Sequence, residues 1–167
     1  MKSIYLVGFM GCGKTSVGKI IAKALNCHFI DLDEEIVSHT GKSIPTIFEE
    51  KGENGFRIIE SEVLKKVSSD SSIISTGGGI VTCPENIVFM KQNGIIFYLE
   101  STIETLYKRI HQDSNRPNAV NRSLVELKNL FISRKSFYEK ADFTISVTEK
   151  SPKDVSVEII NCLNSLR

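Results

Sequence analysis

Eight residues near the start of the chain have the types and spacing needed to hold the phosphates of a nucleotide. Residues 8–15 read G-F-M-G-C-G-K-T, which matches the G-x-x-x-x-G-K-T pattern of a P-loop. In such a loop, glycines allow successive backbone N–H groups to face phosphate oxygens. The lysine reaches the β- and γ-phosphates, and the threonine hydroxyl binds Mg²⁺. The octet therefore predicts a nucleotide site in which Lys14 and Thr15 have these two roles.

The residues around the octet have the pattern that a P-loop requires. A short apolar run at 4–7 precedes it, and apolar residues recur at helical spacing from Val17 to Leu25 after it. The order strand, loop, helix places a helix N-terminus, with its partial positive charge, behind the phosphates. The residues expected to contact the nucleotide are Gly11, Cys12, Gly13, Lys14, Thr15 and Ser16.

Two carboxylates lie at the end of the second predicted strand, 28–31. Asp31 and Asp33 lie two residues apart, at the strand end where phosphate and Mg²⁺ are expected. We expect Asp31 to bind the metal with Thr15, and the other carboxylate to accept the proton of an attacking hydroxyl group. Because a helical pattern follows at once, an N-cap role for such an aspartate remains open.

Three consecutive glycines, residues 77–79, follow the third predicted strand. Glycine exposes its backbone N–H and lets a ligand approach closely, so the triplet favours a binding role over a flexible turn. This strand end carries no Walker B aspartate. The metal must therefore depend on Thr15, Asp31 and the phosphates.

Three arginines could bind anionic groups. The guanidinium groups of Arg57 and Arg134 suit bidentate binding of a carboxylate, although a single arginine on a helix is more often a solvated charge. Arg116 lies in the polar, asparagine-rich stretch 111–122, whose composition is typical of a lid or a disordered loop. From a lid, Arg116 could contact the transferred phosphate.

Composition excludes several classes of protein. With 167 residues, 41% hydrophobic and 25% charged, the chain suits one globular domain, 1–167. A net charge of +1 gives no basic surface for nucleic acid, and no apolar run is long enough to cross a membrane. The start runs straight into a strand, without a signal peptide, and the four cysteines form no C-x-x-C pair. We expect a cytoplasmic protein with free thiols and no nucleic-acid or membrane partner.

Short β-prone segments alternate with amphipathic helical ones, which predicts a three-layer α/β/α fold around a parallel sheet. The carboxyl ends of such strands meet at one edge, where ligands bind. Residues 33–66 hold two or three helices, more than a simple crossover needs. A capping box at Ser101–Glu104 is expected to start a later helix. The predicted strands are Ser3–Val7, His28–Asp31, Ser72–Ser75, Ile95–Leu99 and Phe143–Val147.

Together these motifs resemble shikimate kinase over nearly the whole chain. The resemblance rests on G-F-M-G-C-G-K-T, D-L-D, F-E-E-K-G-E-N-G-F-R-x-x-E, S-T-G-G-G, R-P and L-x-x-x-R-x-x-x-Y-x-x-A. It implies transfer of the γ-phosphate of ATP, with Mg²⁺, to the 3-hydroxyl of shikimate in aromatic amino-acid biosynthesis. The implied fold is a P-loop kinase with five parallel strands in the order 2-3-1-4-5. Segment 33–66 becomes the substrate-binding insertion and 111–122 the lid, and we expect a monomer.

The resemblance also implies roles for individual residues. Asp33 would bind ring hydroxyls and act as candidate base, while Glu60 would orient Arg57. The residues implied to bind shikimate are Asp33, Arg57, Gly78, Gly79 and Arg134, and those implied in catalysis are Lys14, Asp33 and Arg116. Arg116 would bridge toward phosphate, and Arg109 with Pro152 would flank adenine.

Three alternatives stay open. A kinase for another hydroxylated acid, such as gluconate, would share the fold, and a non-catalytic nucleotide switch would share the P-loop. Nucleoside monophosphate kinases fit less well, because their lids usually carry more arginines. Cys12 occupies a P-loop position where many relatives have a small hydroxyl residue. It is either a space-filling side chain or a reactive thiol.

Overall fold

The computed structural model describes residues 2–68, 71–112 and 122–166. Its centre is a sheet of five parallel strands in the order β2-β3-β1-β4-β5, which confirms the predicted fold class and strand order. The strands are β1 (Ser3–Val7), β2 (His28–Asp31), β3 (Ser72–Ser75), β4 (Gly94–Glu100) and β5 (Phe143–Ser146). The predicted bounds are therefore correct to within one residue at each end.

Helices connect the strands. They are α1 (Lys14–Leu25), α2 (Leu32–Thr40), α3 (Ile44–Val67), α4 (Pro84–Asn93), α5 (Ile103–Gln112), α6 (Leu124–Tyr138) and α7 (Pro152–Ser165), with a 3₁₀ turn at Ile80–Thr82. Helix α3 is bent at Gly52, where φ is 67° and ψ is −176°. Segment 33–66 thus contains α2 and the two parts of α3, in agreement with the two or three helices predicted there. Within the described ranges, no helix combines the length and the apolar character needed to cross a membrane.

Strand β1 forms the middle of the core. All five of its residues are buried, as expected for a central parallel strand covered by helices on both faces. Tyr5 aligns with Ile74 of β3 and with Ile96 of β4. This register fixes where the strand ends lie. Leu6 and Asp31 both align with Ser75, so the loops after β1, β2 and β3 meet at one edge of the sheet.

The start of α5 differs from the prediction. The backbone N–H of Thr105 donates to the hydroxyl of Thr102 (3.3 Å), so Thr102 caps the helix. Ser101 is buried instead, with its Oγ 3.3 Å from Oγ1 of Thr148. The predicted capping box was wrong by one residue because Ser101 and Thr102 are both good caps, and packing against the loop after β5 selects between them.

Candidate active site

The P-loop joins β1 to α1 at the carboxyl edge of the sheet. Gly13 caps α1 with φ at 97°, a left-handed conformation that favours glycine. The Lys14 ammonium donates to the carbonyl oxygens of Gly8 (2.7 Å) and Phe9 (3.3 Å). The first-turn N–H groups of α1 have no partner within the helix itself, so they can bind an anion, and Lys14 adds a positive charge beside them.

The Asp31 carboxylate has two partners. One oxygen, Oδ2, accepts a hydrogen bond from the Thr15 hydroxyl (2.9 Å), and the other, Oδ1, accepts from the backbone N–H of Asp33 (3.1 Å). The sequence left open whether such an aspartate caps a helix or faces the metal site. The two roles are compatible, because Asp31 caps α2 and also faces the P-loop threonine. Ser75 joins this group, with its Oγ 3.4 Å from Oγ1 of Thr15.

These three side chains offer only oxygen atoms, the donor type that Mg²⁺ prefers. The described parts of the chain contain no group of three histidines, cysteines or acidic residues able to hold a metal. A Mg²⁺ ion here would therefore depend on Thr15 and Asp31 together with phosphate oxygens and water, as the sequence predicts. Ser75 was missed, although its position at the end of β3, two residues before the glycine triplet, offered a signal.

A second cluster, the triple-glycine pocket, lies beside the P-loop. It comprises the glycine triplet 77–79 with four charged side chains, those of Asp33, Arg57, Glu60 and Arg134. Glu60 is completely buried, and its Oε2 accepts from the Arg57 guanidinium (2.7 Å). Burial raises the pKa of Glu60 above its ordinary value, Arg57 partly offsets this, and the nearby Asp33 adds to the increase.

Two of the three glycines, Gly77 and Gly79, leave no room for a side chain beside the charged groups as they lie. A Cβ on Gly79 would lie 2.0 Å from a terminal nitrogen of Arg57. A Cβ on Gly77 would lie 2.7 Å from Oε1 of Glu60 and 3.2 Å from Oδ1 of Asp33. Because charged groups pack directly on its backbone, the triplet is a close-approach segment rather than a flexible turn.

Arg134 reaches the same segment from α6. Its terminal nitrogen lies 3.6 Å from the place that a Cβ on Gly78 would take. On the same helix, one turn later, the Tyr138 hydroxyl donates to the Gly78 carbonyl oxygen. The structure thus brings both predicted carboxylate-binding arginines, from α3 and α6, against one glycine segment. The Tyr138 contact was missed by the sequence reasoning, where the tyrosine appeared only as part of a motif.

A cleft of about 260 Å³, the P-loop cleft, opens on the other side of the P-loop. It is lined by Gly11, Cys12, Gly13, Val17, Arg109, Val147, Lys150, Pro152 and Val155. Arg109 is held by a hydrogen bond to the Val147 carbonyl oxygen (3.3 Å). The predicted adenine neighbours, Arg109 and Pro152, are therefore together beside the P-loop. The apolar lining supplied by the valines was not predicted.

Three further predicted residues are Cys12, Ser16 and Arg116. Cys12 is only 2% exposed, and its sulfur lies 2.8 Å from the place that a Cβ on Gly8 would take, so its side chain fills space inside the loop. Ser16 is exposed on the first turn of α1. Arg116 and most of the predicted lid lie outside the described residues, and their roles stay predictions.

Comparison with known proteins identifies the family of this chain. A family profile described as shikimate kinase matches residues 10–164. A shikimate kinase from Enterococcus faecalis is 45% identical over 166 residues, which are 98% of this chain and 99% of the relative. The crystallised shikimate kinase from Acinetobacter baumannii in complex with shikimate is 38% identical and has a TM-score of 0.90. The match covers 100% of this chain and 95% of that one.

A kinase that matches the gluconate alternative is also a structural neighbour, but at much lower sequence identity. A gluconokinase from Sinorhizobium meliloti has a TM-score of 0.67 over 99% of this chain and 93% of its own, but only 15% identity. That likeness shows a shared fold and nothing more, whereas the two shikimate kinases above are 45% and 38% identical over 98% and 100% of this chain. The chain belongs to the shikimate kinase family of ATP-dependent phosphotransferases.

Proposed function

We propose that this protein transfers the γ-phosphate of ATP to the 3-hydroxyl of shikimate, giving shikimate 3-phosphate and ADP. ATP would lie with its adenine in the P-loop cleft and its phosphates on the P-loop. Shikimate would lie in the triple-glycine pocket. Because the two clusters share the carboxyl edge of the sheet, the acceptor hydroxyl and the transferred phosphate would meet between them.

The observation that carries this proposal is the set of charges packed on the glycine triplet. Two arginines and two carboxylates converge there, and Glu60 is completely buried. Among the described residues, Nε of Arg57 and Oε1 of Glu60 are buried without a hydrogen-bond partner. A hydroxylated acid would supply both missing partners, since its carboxylate accepts hydrogen bonds and its hydroxyl groups donate them.

Arg57 and Arg134 would bind the shikimate carboxylate. The Arg57–Glu60 ion pair fixes the direction of the Arg57 guanidinium, which is 17% exposed. Held in place by Glu60 and by the Gly79 backbone, Arg57 loses little side-chain entropy when the acid binds. The backbone of Gly78 and Gly79 would complete the contact.

Asp33 would bind the ring hydroxyls and accept the proton of the 3-hydroxyl as it attacks. Asp33 follows the Asp31 cap, whose hydrogen bond to the Asp33 N–H holds the start of α2 in place. Its Oδ1 lies beside Gly77 within the triple-glycine pocket, which places a carboxylate next to the acceptor. A positioned carboxylate of this kind typically contributes 10²-fold or more to a proton-transfer step.

Lys14 would neutralise charge on the β- and γ-phosphates, and the N–H groups at the start of α1 would do the same along the loop. Thr15 and Asp31 would hold Mg²⁺, which when bound supplies positive charge to the same oxygens. Arg116, from the lid, would contact the transferred phosphate. We propose one domain, 1–167, acting as a monomer, since all the site residues above belong to one chain.

A coupled assay that follows ADP release tests the acceptor. We expect release that depends on shikimate, with gluconate at the same concentration giving the background rate. The paired arginines favour this result. The rigid ring of shikimate holds its carboxylate at one fixed distance from its 3-hydroxyl, so both arginines would bind the carboxylate while that hydroxyl is phosphorylated. Turnover of gluconate without turnover of shikimate would overturn the assignment, and ATP binding without any transfer would favour the switch alternative.

A further inference from the structure

Tyr138 is the last residue of α6, and its side chain has no exposed surface. Its ring stacks on Tyr98 of β4, with the ring centroids 5.1 Å apart and the planes inclined by 17°. Burial raises the pKa of the Tyr138 phenol, so the hydroxyl stays neutral at physiological pH and remains a hydrogen-bond donor. The side chain is therefore held rigidly, with one donor pointing out of the core.

That donor is bonded to the backbone of the triple-glycine pocket, at the Gly78 carbonyl oxygen. The carbonyl of Gly78 and the N–H of Gly79 belong to the same peptide group, which is trans. In a trans peptide these two groups point in opposite directions. A hydrogen bond that fixes the carbonyl toward Tyr138 therefore also fixes the N–H of Gly79 on the far side, away from α6.

Glycine needs such an external constraint more than any other residue. Gly78 carries no side chain that could restrict its backbone dihedral angles, and the residues on both sides of it are glycines as well. The neighbours that surround its Cα are Arg134, the N–H of Met10 and the carbonyl of Gly8, each 3.6–3.7 Å from the Cβ position. The carbonyl oxygens of Gly77 and Gly79 accept from the N–H groups of Ile80 and Thr82, whereas the Gly78 carbonyl oxygen accepts from Tyr138, and such bonds orient a peptide plane.

Arg134 and Tyr138 are one turn apart on α6, so they lie on the same face of one rigid helix. The first reaches toward the triple-glycine pocket and the second is bonded to it. The distance between the backbone of α6 at Arg134 and the glycine backbone is consequently set by the helix and by the Tyr138 hydrogen bond together. In the proposed function, Arg134 and the glycine backbone are two groups that would bind the carboxylate of shikimate.

We infer that Tyr138 is a positioning residue for the acceptor, whose hydroxyl fixes the Gly78–Gly79 peptide at the spacing from Arg134 that the shikimate carboxylate requires. The inference rests on the proposed site in the triple-glycine pocket. Tyr138 acts through the backbone and does not touch the reacting atoms. Its loss should therefore weaken shikimate binding and leave the phosphate-transfer step nearly unchanged.

The chain offers a matched control. Tyr98 is the other ring of the stack, and its hydroxyl is buried without a hydrogen-bond partner among the described residues. The substitutions Tyr138→Phe and Tyr98→Phe each remove one hydroxyl from the same stacked pair and keep both rings. Only the first removes a hydrogen bond to the triple-glycine pocket.

The experiment measures the dissociation constant of shikimate by calorimetry, KM for shikimate and for ATP, kcat and the thermal unfolding midpoint for both variants. We expect Tyr138→Phe to weaken shikimate binding about fivefold to tenfold, the usual effect of one neutral hydrogen bond, with kcat and KM for ATP within about twofold of wild type. Tyr98→Phe should leave all four functional values unchanged. Both variants should unfold cooperatively near the wild-type midpoint.

Three outcomes would overturn the inference: shikimate affinity unchanged in Tyr138→Phe, an equal loss in Tyr98→Phe, or a fall in kcat without a change in shikimate binding. An Arg134→Lys variant separates this failure from failure of the proposed site. If Arg134→Lys weakens shikimate binding and Tyr138→Phe does not, the site stands and the positioning role of Tyr138 fails. If neither variant weakens binding, the assignment of the triple-glycine pocket fails as well.

Discussion

The P-loop and the triple-glycine pocket are built in opposite ways. The P-loop arises from one continuous segment, residues 8–16, and its binding groups are mostly backbone N–H groups with a single lysine. The triple-glycine pocket takes its side chains from α2, α3 and α6, and packs them on a loop after β3. One region depends on local backbone geometry, and the other depends on how distant elements pack.

The two regions also differ in electrostatics. The P-loop cleft is lined largely by glycines and apolar side chains, with Arg109 and Lys150 as its cations. The triple-glycine pocket contains a buried carboxylate, Glu60, bonded to Arg57. A buried ion pair adds little stability but fixes geometry, because removing either partner leaves a charge without compensation. We therefore expect side-chain substitutions to disturb ligand binding less in the P-loop cleft than in the triple-glycine pocket.

The largest effect is expected from Lys14→Met. Loss of the ammonium that would neutralise the β- and γ-phosphates should lower kcat about 10²–10³-fold, the range for removal of one transition-state donor. Shikimate affinity, measured by calorimetry without nucleotide, should stay within about twofold of wild type, because Lys14 does not contact the triple-glycine pocket. Circular dichroism provides the control for folding. Wild-type kcat in this variant would exclude the proposed role of the P-loop lysine.

Asp33→Asn should lower kcat at least about 10²-fold, because the amide cannot accept the proton of the attacking hydroxyl. The amide keeps the size of the side chain and the ability to bind ring hydroxyls, so KM for shikimate should change less than kcat. Steady-state kinetics with varied shikimate separates the two constants. A change in KM alone would leave Asp33 as a binding residue and not a base.

Gly79→Ala tests how tightly the triple-glycine pocket is packed. The added methyl group would lie 2.0 Å from a terminal nitrogen of Arg57, so the guanidinium must move. A displaced carboxylate-binding group should lower kcat/KM for shikimate roughly 10–100-fold, with KM for ATP unaffected. The double variant with Arg57→Ala is the control. If Gly79→Ala acts by displacing Arg57, it should lower kcat/KM for shikimate little further once Arg57 is already replaced by alanine.

The smallest effect concerns the pH dependence of stability. Burial raises the folded-state pKa of Glu60 above its ordinary value of 4.5, so the folded protein holds this proton at pH values where the unfolded chain has lost it. Between the two pKa values, the free energy of unfolding should therefore fall as pH rises, by up to about 1.4 kcal/mol per pH unit. Urea unfolding of wild type and Glu60→Gln at a series of pH values upward from about 4 measures the difference.

Relative to Glu60→Gln, which has no such proton, the wild type should lose stability as the pH rises from 4.5 to the folded-state pKa of Glu60. A difference that stays constant with pH would mean that the Glu60 pKa is not raised. A wild type that gains stability with pH would mean that the attraction of Arg57 outweighs the effect of burial. Either result would contradict a Glu60 carboxyl whose pKa is raised by burial in the triple-glycine pocket.

The contrast between the regions also explains what could be predicted from the sequence. The P-loop was predictable because its determinants lie within eight residues, between an apolar run and a helical pattern. The strands were predictable for the same reason, since each is a short β-prone segment. The strand order and the roles of Arg57 and Arg134 came from the resemblance to a family, because residues so far apart in the chain have no local pattern that joins them.

The residues that were missed form contacts across long separations. Ser75 approaches Thr15 across 60 positions, and Tyr138 bonds to Gly78 across another 60. No periodicity relates such pairs, and only the register of β3 beside β1 and the position of α6 bring them together. The prediction of the α5 cap failed for a different reason. Ser101 and Thr102 have a similar local preference for the N-cap position, and tertiary packing selected Thr102.

Calorimetric titration of wild type and Arg57→Ala, with shikimate and separately with a non-hydrolysable ATP analogue, tests the division of the site most directly. Leaving the shikimate carboxylate and the buried Glu60 without Arg57 should cost roughly 2–5 kcal/mol of shikimate binding, which is about 30-fold or more in the dissociation constant. Nucleotide affinity should change less than about twofold. Unchanged shikimate affinity, or an equal loss for both ligands, would contradict a carboxylate site in the triple-glycine pocket.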